Sequence, residues 1–345
     1  MREAIERSFE KTKVLGETKE FYEPSDVPEM LAHDVAEFMK KEYSKKYSQQ
    51  DIEVRGVMKL NEPMKKHTSW RTGGHAERYF KPADIDDLCS FLRQIPDDEP
   101  LLWLGLGSNL LVRDGGLQGT VIALSGVLND LHIYDDVCMH VGAGVTCAKV
   151  ARMSVKACLS GGEFLAGIPG TMGGALAMNA GAFGGETWNI VRSVETINRQ
   201  GQRIKRVAAD FEIAYRQVNL PGDEWFISAE LLLAGDGDKN GLERIQALLN
   251  KRAESQPTGK ASCGSVFRNP ESDYAARLIE VSGLKGKSIG NAEVSDKHAN
   301  FIINSGSASA EDIESLILLI QEKVKLDHGI DLVPEVRIVG DYKKV

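Results

Sequence analysis

From about residue 51 onward, short apolar runs alternate with stretches whose apolar positions recur every three or four residues. The runs predict strands at 77–80, 101–104, 121–124, 132–134 and 138–141, and the longer period predicts helices at 84–94 and 147–157. A second mixed segment follows residue 235, with helices expected at 241–254, 275–281 and 310–328. Its strands fall near 265–267, 299–303 and 336–339. The turn-rich stretch GDGDKNG at 235–241 separates the two segments. The first 50 residues differ: Ile5, Phe9, Met30, Leu31, Val35 and Phe38 recur at helical spacing in a polar background with a single glycine, Gly16. They read as an accessory arm of two or three amphipathic helices. The expected architecture is α+β, with a helical extension at 1–55, a first α/β domain at 56–235 and a C-terminal α/β domain at 236–345.

Glycine changes this picture. Of 34 glycines, 17 lie between Gly105 and Gly185, too many for ordinary turns alone. One segment runs from an apolar strand into Gly105-Leu-Gly107-Ser108-Asn109, then Leu110-Leu-Val and Arg113-Asp-Gly-Gly116. Glycine reaches φ > 0 and brings main-chain N–H groups against a ligand, and successive N–H groups in such a turn form a concave anion site. A strand rather than a helix is expected next, so this is not the dinucleotide fingerprint GxGxxG. A second segment carries nine glycines between Gly161 and Gly185, including Gly167-Ile168-Pro169-Gly170-Thr171-Met-Gly173-Gly174 and, further on, Asn179. A third, Ser69-Trp-Arg71-Thr72-Gly73-Gly74, sets a cation beside another glycine pair. Chain this rich in glycine orders at a high entropic cost, which points to one extended ligand lying against all three segments.

Charge and cysteine content narrow the class. With 42 Lys+Arg against 50 Asp+Glu, the formal net charge is −8, which argues against non-specific nucleic-acid binding. Five cysteines without CxxC spacing fit reduced thiols, not a zinc site or disulfide framework, so no metal is expected. No apolar run reaches the ~20 residues of a membrane helix, and the polar N-terminus lacks the core of a secretory signal, so a cytoplasmic protein is expected.

Three spots in the second half set unlike polar residues in apolar contexts. They are Tyr215-Arg216 after a mixed apolar run, Ser265 in Cys-Gly-Ser-Val-Phe-Arg268-Asn269-Pro, and Glu335 in Leu-Val-Pro-Glu-Val-Arg. Read alone, each also admits an ordinary role: a surface ion pair, a turn serine, a solvated strand-edge carboxylate. A nucleophilic Ser265 would lack the GxSxG elbow and an ordered His/Asp partner.

SWRTGG, GLGSNLLVRDGG and AGIPGTMGGALAMNAGAFGGE are similar to the flavin-binding segments of the UDP-N-acetylenolpyruvoylglucosamine reductases, over roughly residues 57–342. The resemblance implies a flavin domain of the PCMH/vanillyl-alcohol-oxidase type holding non-covalent FAD. Arg71, Thr72, Gly73, Gly105, Gly107, Ser108, Asn109, Leu110, Gly167, Ile168, Pro169, Gly170, Thr171, Gly173, Gly174 and Asn179 would contact it. The resemblance implies NADPH as hydride donor and the enolpyruvyl ether of UDP-N-acetylglucosamine as substrate. It casts Arg216, Ser265 and Glu335 as catalytic residues, with Ser265 giving a proton to C2 and Arg216 facing the substrate carboxylate. Tyr215, Arg268 and Asn269 become substrate-binding candidates. The link from Arg216 to Ser265 is too short for a substrate-covering insertion, and a monomer is favoured. The chain departs from the family pattern at Ser255, where lysine is common, and at Asn291, where glycine is common.

Overall fold

The apolar runs become two sheets and a third, smaller layer. In the first lobe, β1 (Val57–Pro63), β2 (His75–Lys81), β3 (Leu101–Leu104) and β5 (Leu117–Ala123) form a sheet of order β1-β2-β5-β3, while β4 (Leu110–Val112) stands apart. Only β1 is antiparallel to its neighbour. Helix α1 (Ile85–Gln94) starts where the Asp84 carboxylate accepts the Asp87 N–H at 2.9 Å, and it lays Leu88, Phe91 and Leu92 on the sheet. The Phe91 ring packs against Phe80 at a tilt of 32°, with centroids 4.4 Å apart. The computed structural model describes residues 52–236 and 239–343, so the arm expected before residue 52, with Ile5, Phe9, Met30, Leu31, Val35 and Phe38, lies outside the described residues.

The second lobe is an antiparallel sheet that the apolar runs only half announce. Strands β6 (Leu131–Tyr134) and β7 (Cys138–Gly142) stand where expected, as does α2 (Cys147–Lys156), capped by Thr146. The short α3 (Met172–Ala177) follows. The strands β8 (Val191–Asn198), β9 (Arg203–Arg206) and β12 (Glu224–Leu232) are additional, and the sheet order is β9-β8-β12-β7-β6. Their interior carries polar groups that mask the pattern: Thr196 is buried and donates its hydroxyl to Glu224 at 2.6 Å, and Arg206 pairs with the same carboxylate. Between β9 and β12, the hairpin β10 (Glu212–Ala214) and β11 (Gln217–Asn219) turns through Tyr215 and Arg216. Past the glycine-rich junction, α4 (Gly241–Ser255) packs Ile245 into the core of this lobe, with Gly241 against Val155 and Arg244 paired to Glu163 at 2.8 Å.

The remaining layer holds α5 (Ala275–Val281), a meander of β13 (Ser288–Ile289), β14 (Ala292–Val294) and β15 (Ile302–Asn304), the long α6 (Ala310–His328), and β16 (Arg337–Val339). Helix α6 opens on a capping box between Ser309 and Asp312 and closes on Gly329 at φ 69°. Strand β16 does not join the meander. It pairs in parallel with β4, Arg337 opposite Leu110, and so attaches the layer to the first lobe. The expected strand at 265–267 is an extended segment with one bridge, Phe267 to Pro334. Pro334 has no N–H to continue the ladder.

Residues 53–345 form one compact unit. Its joints are the segments singled out by their glycines. Trp70 is fully buried in the core of the third layer and donates its indole N–H to the Ile302 carbonyl at 2.7 Å, and the Thr72 hydroxyl donates to Ala308 at 2.7 Å. Arg113 grips the Glu314 carboxylate through Nε and Nη2 at 2.9 and 2.8 Å, while Asp114 accepts the first N–H groups of α6, from Ala310 and Glu311.

Candidate active site

Backbone pairing brings two of the three candidate catalytic residues together. The Glu335 N–H donates to Val266 at 2.7 Å and the Arg268 N–H to Val333 at 2.9 Å, so the Ser265 segment lies along the Glu335 segment. The Asn109 side chain donates its amide to the Glu335 carbonyl at 3.0 Å, and the Arg337 N–H donates to the Asn109 carbonyl at 3.1 Å. Cys263 lies against the Gly107 and Leu110 carbonyls at 3.8 and 3.6 Å. The glycine loop at 105–109 is thus clasped from both sides by the segments that carry Ser265 and Glu335.

Arg216 arrives from the tip of the β10–β11 hairpin. Its φ of 56° turns the chain left-handed and its Nε stands 3.4 Å from the Glu335 carboxylate. Both side chains are 15% exposed, so the two groups meet with little water around them. Burial pushes the Glu335 carboxyl above the usual range, and the cations Arg216 and Arg268 only partly oppose it. Glu335 therefore takes up a proton more readily than a solvated carboxylate does.

These three side chains line one cavity of about 300 Å³ together with Ser108, Asn109, Gly167, Ile168, Pro169, Tyr215 and Asn269. Arg252, which no motif announced, lines it too; its Nε donates to Gln256 at 2.9 Å and burial pulls its pKa down. An i,i+4 Arg–Gln pair at a helix end carries no site signal in sequence, so only the fold reveals it. Two guanidinium groups at one cavity, in a chain of net charge −8, fit a multiply anionic small molecule.

The remaining candidates are placed differently. Arg71 faces a separate, more open cavity of about 460 Å³ with Lys260 and residues 303–306. Leu110 is buried in the first lobe's core and Arg268 does not line the central cavity. Asn269 keeps its side-chain oxygen on the Ala275 N–H at 3.1 Å. Asn179, 3% exposed, stands behind the cavity wall with its amide bonded to Glu186 and Trp188. Ser255 turns its hydroxyl back onto its own helix, and Asn291 donates to Ser307.

The glycines divide into two kinds. A Cβ on Gly107, at φ 61°, would stand 2.0 Å from the His67 carbonyl oxygen, and one on Gly105 would meet the Thr171 hydroxyl at 2.5 Å. A Cβ on Gly73 would meet the Val112 carbonyl, and one on Gly173 the Ala143 side chain, so protein packing requires these glycines. Gly170 and Gly174 face no atom closer than 3.6 and 3.8 Å and keep an open wall. Among the described residues, the N–H groups of Gly107, Ser108 and Asn109 meet no acceptor. Three free donors around a left-handed glycine form a nest for an anion, and the open glycine face beside it suits a flat ring system, so the residues fit FAD.

Comparison with known proteins agrees. Residues 256–339 match the model for the UDP-N-acetylenolpyruvoylglucosamine reductase C-terminal domain, and residues 76–206 match the model for an FAD binding domain. The reductase of Methylococcus capsulatus is 57% identical over 287 residues, 83% of this chain and 94% of the relative. That of Coxiella burnetii is 54% identical, covering 83% and 97%. The crystal structure of UDP-N-acetylenolpyruvylglucosamine reductase from Thermus caldophilus superposes with a TM-score of 0.71 at 31% identity, over 83% of this chain and 99% of that one. Identity of this depth across nearly the whole length of the relatives, joined to a cavity where the glycine loop meets Arg216, Ser265 and Glu335, shows that the chain belongs to the UDP-N-acetylenolpyruvoylglucosamine reductase family.

Proposed function

We propose that the cavity at Arg216, Ser265 and Glu335 is where this chain reduces the enolpyruvyl ether of UDP-N-acetylglucosamine to UDP-N-acetylmuramate, with NADPH as reductant. The activity follows from family membership and serves peptidoglycan precursor synthesis. When bound, FAD supplies the two-electron carrier between NADPH and the substrate. The Gly107–Asn109 N–H groups would hold its diphosphate and the 167–170 segment its ring system.

Reduction of the enolpyruvyl double bond adds a hydride equivalent at C3 and a proton at C2. Negative charge gathers at C2 and on the adjoining carboxylate before that proton arrives. Arg216 supports the carboxylate with a planar, permanently charged group, and Glu335 beside it, which burial helps to hold a proton, can donate a hydrogen bond to the same developing charge. Ser265 delivers the proton to C2; a hydroxyl suffices as the acid because the carbanion is a strong base. Arg252 and Asn269 supply polar contacts for the nucleotide diphosphate. The five unpaired cysteines support the cytoplasm as the site of this work. We place the division between flavin and C-terminal domains at the end of α4, whose core contacts belong to the second lobe.

The observation that carries the proposal is the Arg216–Glu335 contact in the cavity that Ser265 lines. Ser265→Ala tests it: stopped-flow absorbance should show flavin reduction by NADPH within about threefold of wild type, and reoxidation by the enolpyruvyl substrate slowed by roughly 100-fold or more. Equal slowing of both half-reactions removes Ser265 from the proton-donor role.

A further inference from the structure

Arg216 is held from behind. Its Nη1 donates to the Asn179 carbonyl at 3.2 Å and its Nη2 to the Gly181 carbonyl at 2.9 Å. With Nε turned toward Glu335, one hydrogen on each Nη nitrogen is left over, a pair of donors suited to a carboxylate. Where that pair points depends on the two carbonyls. A Cβ on Gly181 would stand 2.9 Å from Nη1, so glycine is needed for the guanidinium to come this close.

The Asn179 carbonyl is itself fixed by its own side chain. The residue sits at φ 44°, a left-handed turn that asparagine tolerates better than most side chains. Its Nδ2 donates to the Glu186 carboxylate at 3.0 Å and to the Ala214 carbonyl at 3.3 Å, and its Oδ1 accepts the Trp188 N–H at 3.2 Å. Ala214 is the last residue of β10, two positions before Arg216, so one amide ties the support to the hairpin that carries the guanidinium. The second oxygen of Glu186 stands 3.8 Å from Nη1, too far for a hydrogen bond.

We propose that Asn179 and Glu186 are positioning residues for Arg216: Glu186 anchors the Asn179 amide, Asn179 aims its carbonyl, and the carbonyl sets where the guanidinium receives the substrate carboxylate. The inference rests on the reading of Arg216 as the carboxylate-binding cation.

Isothermal titration of the FAD-loaded enzyme with two ligands tests it: UDP-N-acetylmuramate, which carries the lactyl carboxylate, and UDP-N-acetylglucosamine, which does not. Glu186→Ala should weaken UDP-N-acetylmuramate by about tenfold while leaving UDP-N-acetylglucosamine within about twofold, the scale of a misplaced charge-assisted hydrogen bond. Glu186→Gln keeps an acceptor for the Asn179 amide and should restore wild-type affinity. Asn179→Ala should match Glu186→Ala; where it does not fold, the Glu186 pair decides alone. The proposal falls if Glu186→Ala leaves both affinities intact, weakens both alike, or is matched by Glu186→Gln. Arg216→Lys separates the two levels: if it spares UDP-N-acetylmuramate affinity, the reading of Arg216 itself fails, whereas if it weakens that ligand and Glu186→Ala does not, only the positioning role fails.

Discussion

At the scale of single residues, burial gives the site its chemistry. Glu335 is drawn out of water beside two cations, and the loss of solvation wins, raising its pKa. Because the folded state holds this proton more tightly than the unfolded chain does, the stability it contributes is present below the unfolded value and is lost as pH rises through the raised folded value. Glu335→Gln, which cannot ionise, should therefore gain melting temperature relative to wild type as pH rises above the ordinary glutamate range, measured by thermal denaturation at several pH values. A constant offset across those pH values contradicts a raised Glu335 pKa. The motifs around Arg216, Ser265 and Glu335 are legible in sequence, while the roles proposed for these residues come from the family resemblance and from their meeting in one cavity. The role of Asn179 was not legible: its place in a glycine-rich run points toward the cofactor, and only its hydrogen bonds turn it toward Arg216. Arg252 was illegible for the opposite reason, having no motif around it.

At the scale of elements, helices were more legible than strands. Helices α1, α2, α5 and α6 fall where apolar spacing puts them, since each exposes one face and buries the other. Strands β8 and β12 escaped notice because they bury Thr196, Ser228 and Glu224 among their apolar neighbours, breaking the alternation. The RDGG stretch at 113–116 reads in sequence as part of a ligand loop, yet Arg113 and Asp114 reach across to α6. Asp114→Ala leaves two helix-terminal N–H groups without their carboxylate and should cost about 1 kcal/mol, read from urea denaturation of the FAD-loaded enzyme. Ser309 and Asp312 cap the same end, so a loss well above that figure would mean that the carboxylate does more than cap.

For the whole molecule, the glycine-rich segments double as joints. SWRTGG enters the third layer's core through Trp70, and GLGSN is clasped by the Glu335 segment, so the proposed cradle and the proposed catalytic wall are one construction. FAD bound there stabilises the folded state only, by about 4 kcal/mol when free FAD stands a thousandfold above its dissociation constant. Stripping the flavin should lower the melting temperature, and adding FAD back should restore it; a melt indifferent to FAD contradicts the cradle. The C-terminal strand β16, lying parallel to β4, carries a kinetic consequence. Asn109 and Glu335 are 226 residues apart, among the most distant contacts in the molecule, and a parallel pair cannot be closed by a local hairpin. Loop-closure entropy delays such contacts relative to the hairpins and helices between them. During refolding, the cavity should thus be among the last features to form, and the recovery of enzyme activity should lag behind that of secondary structure.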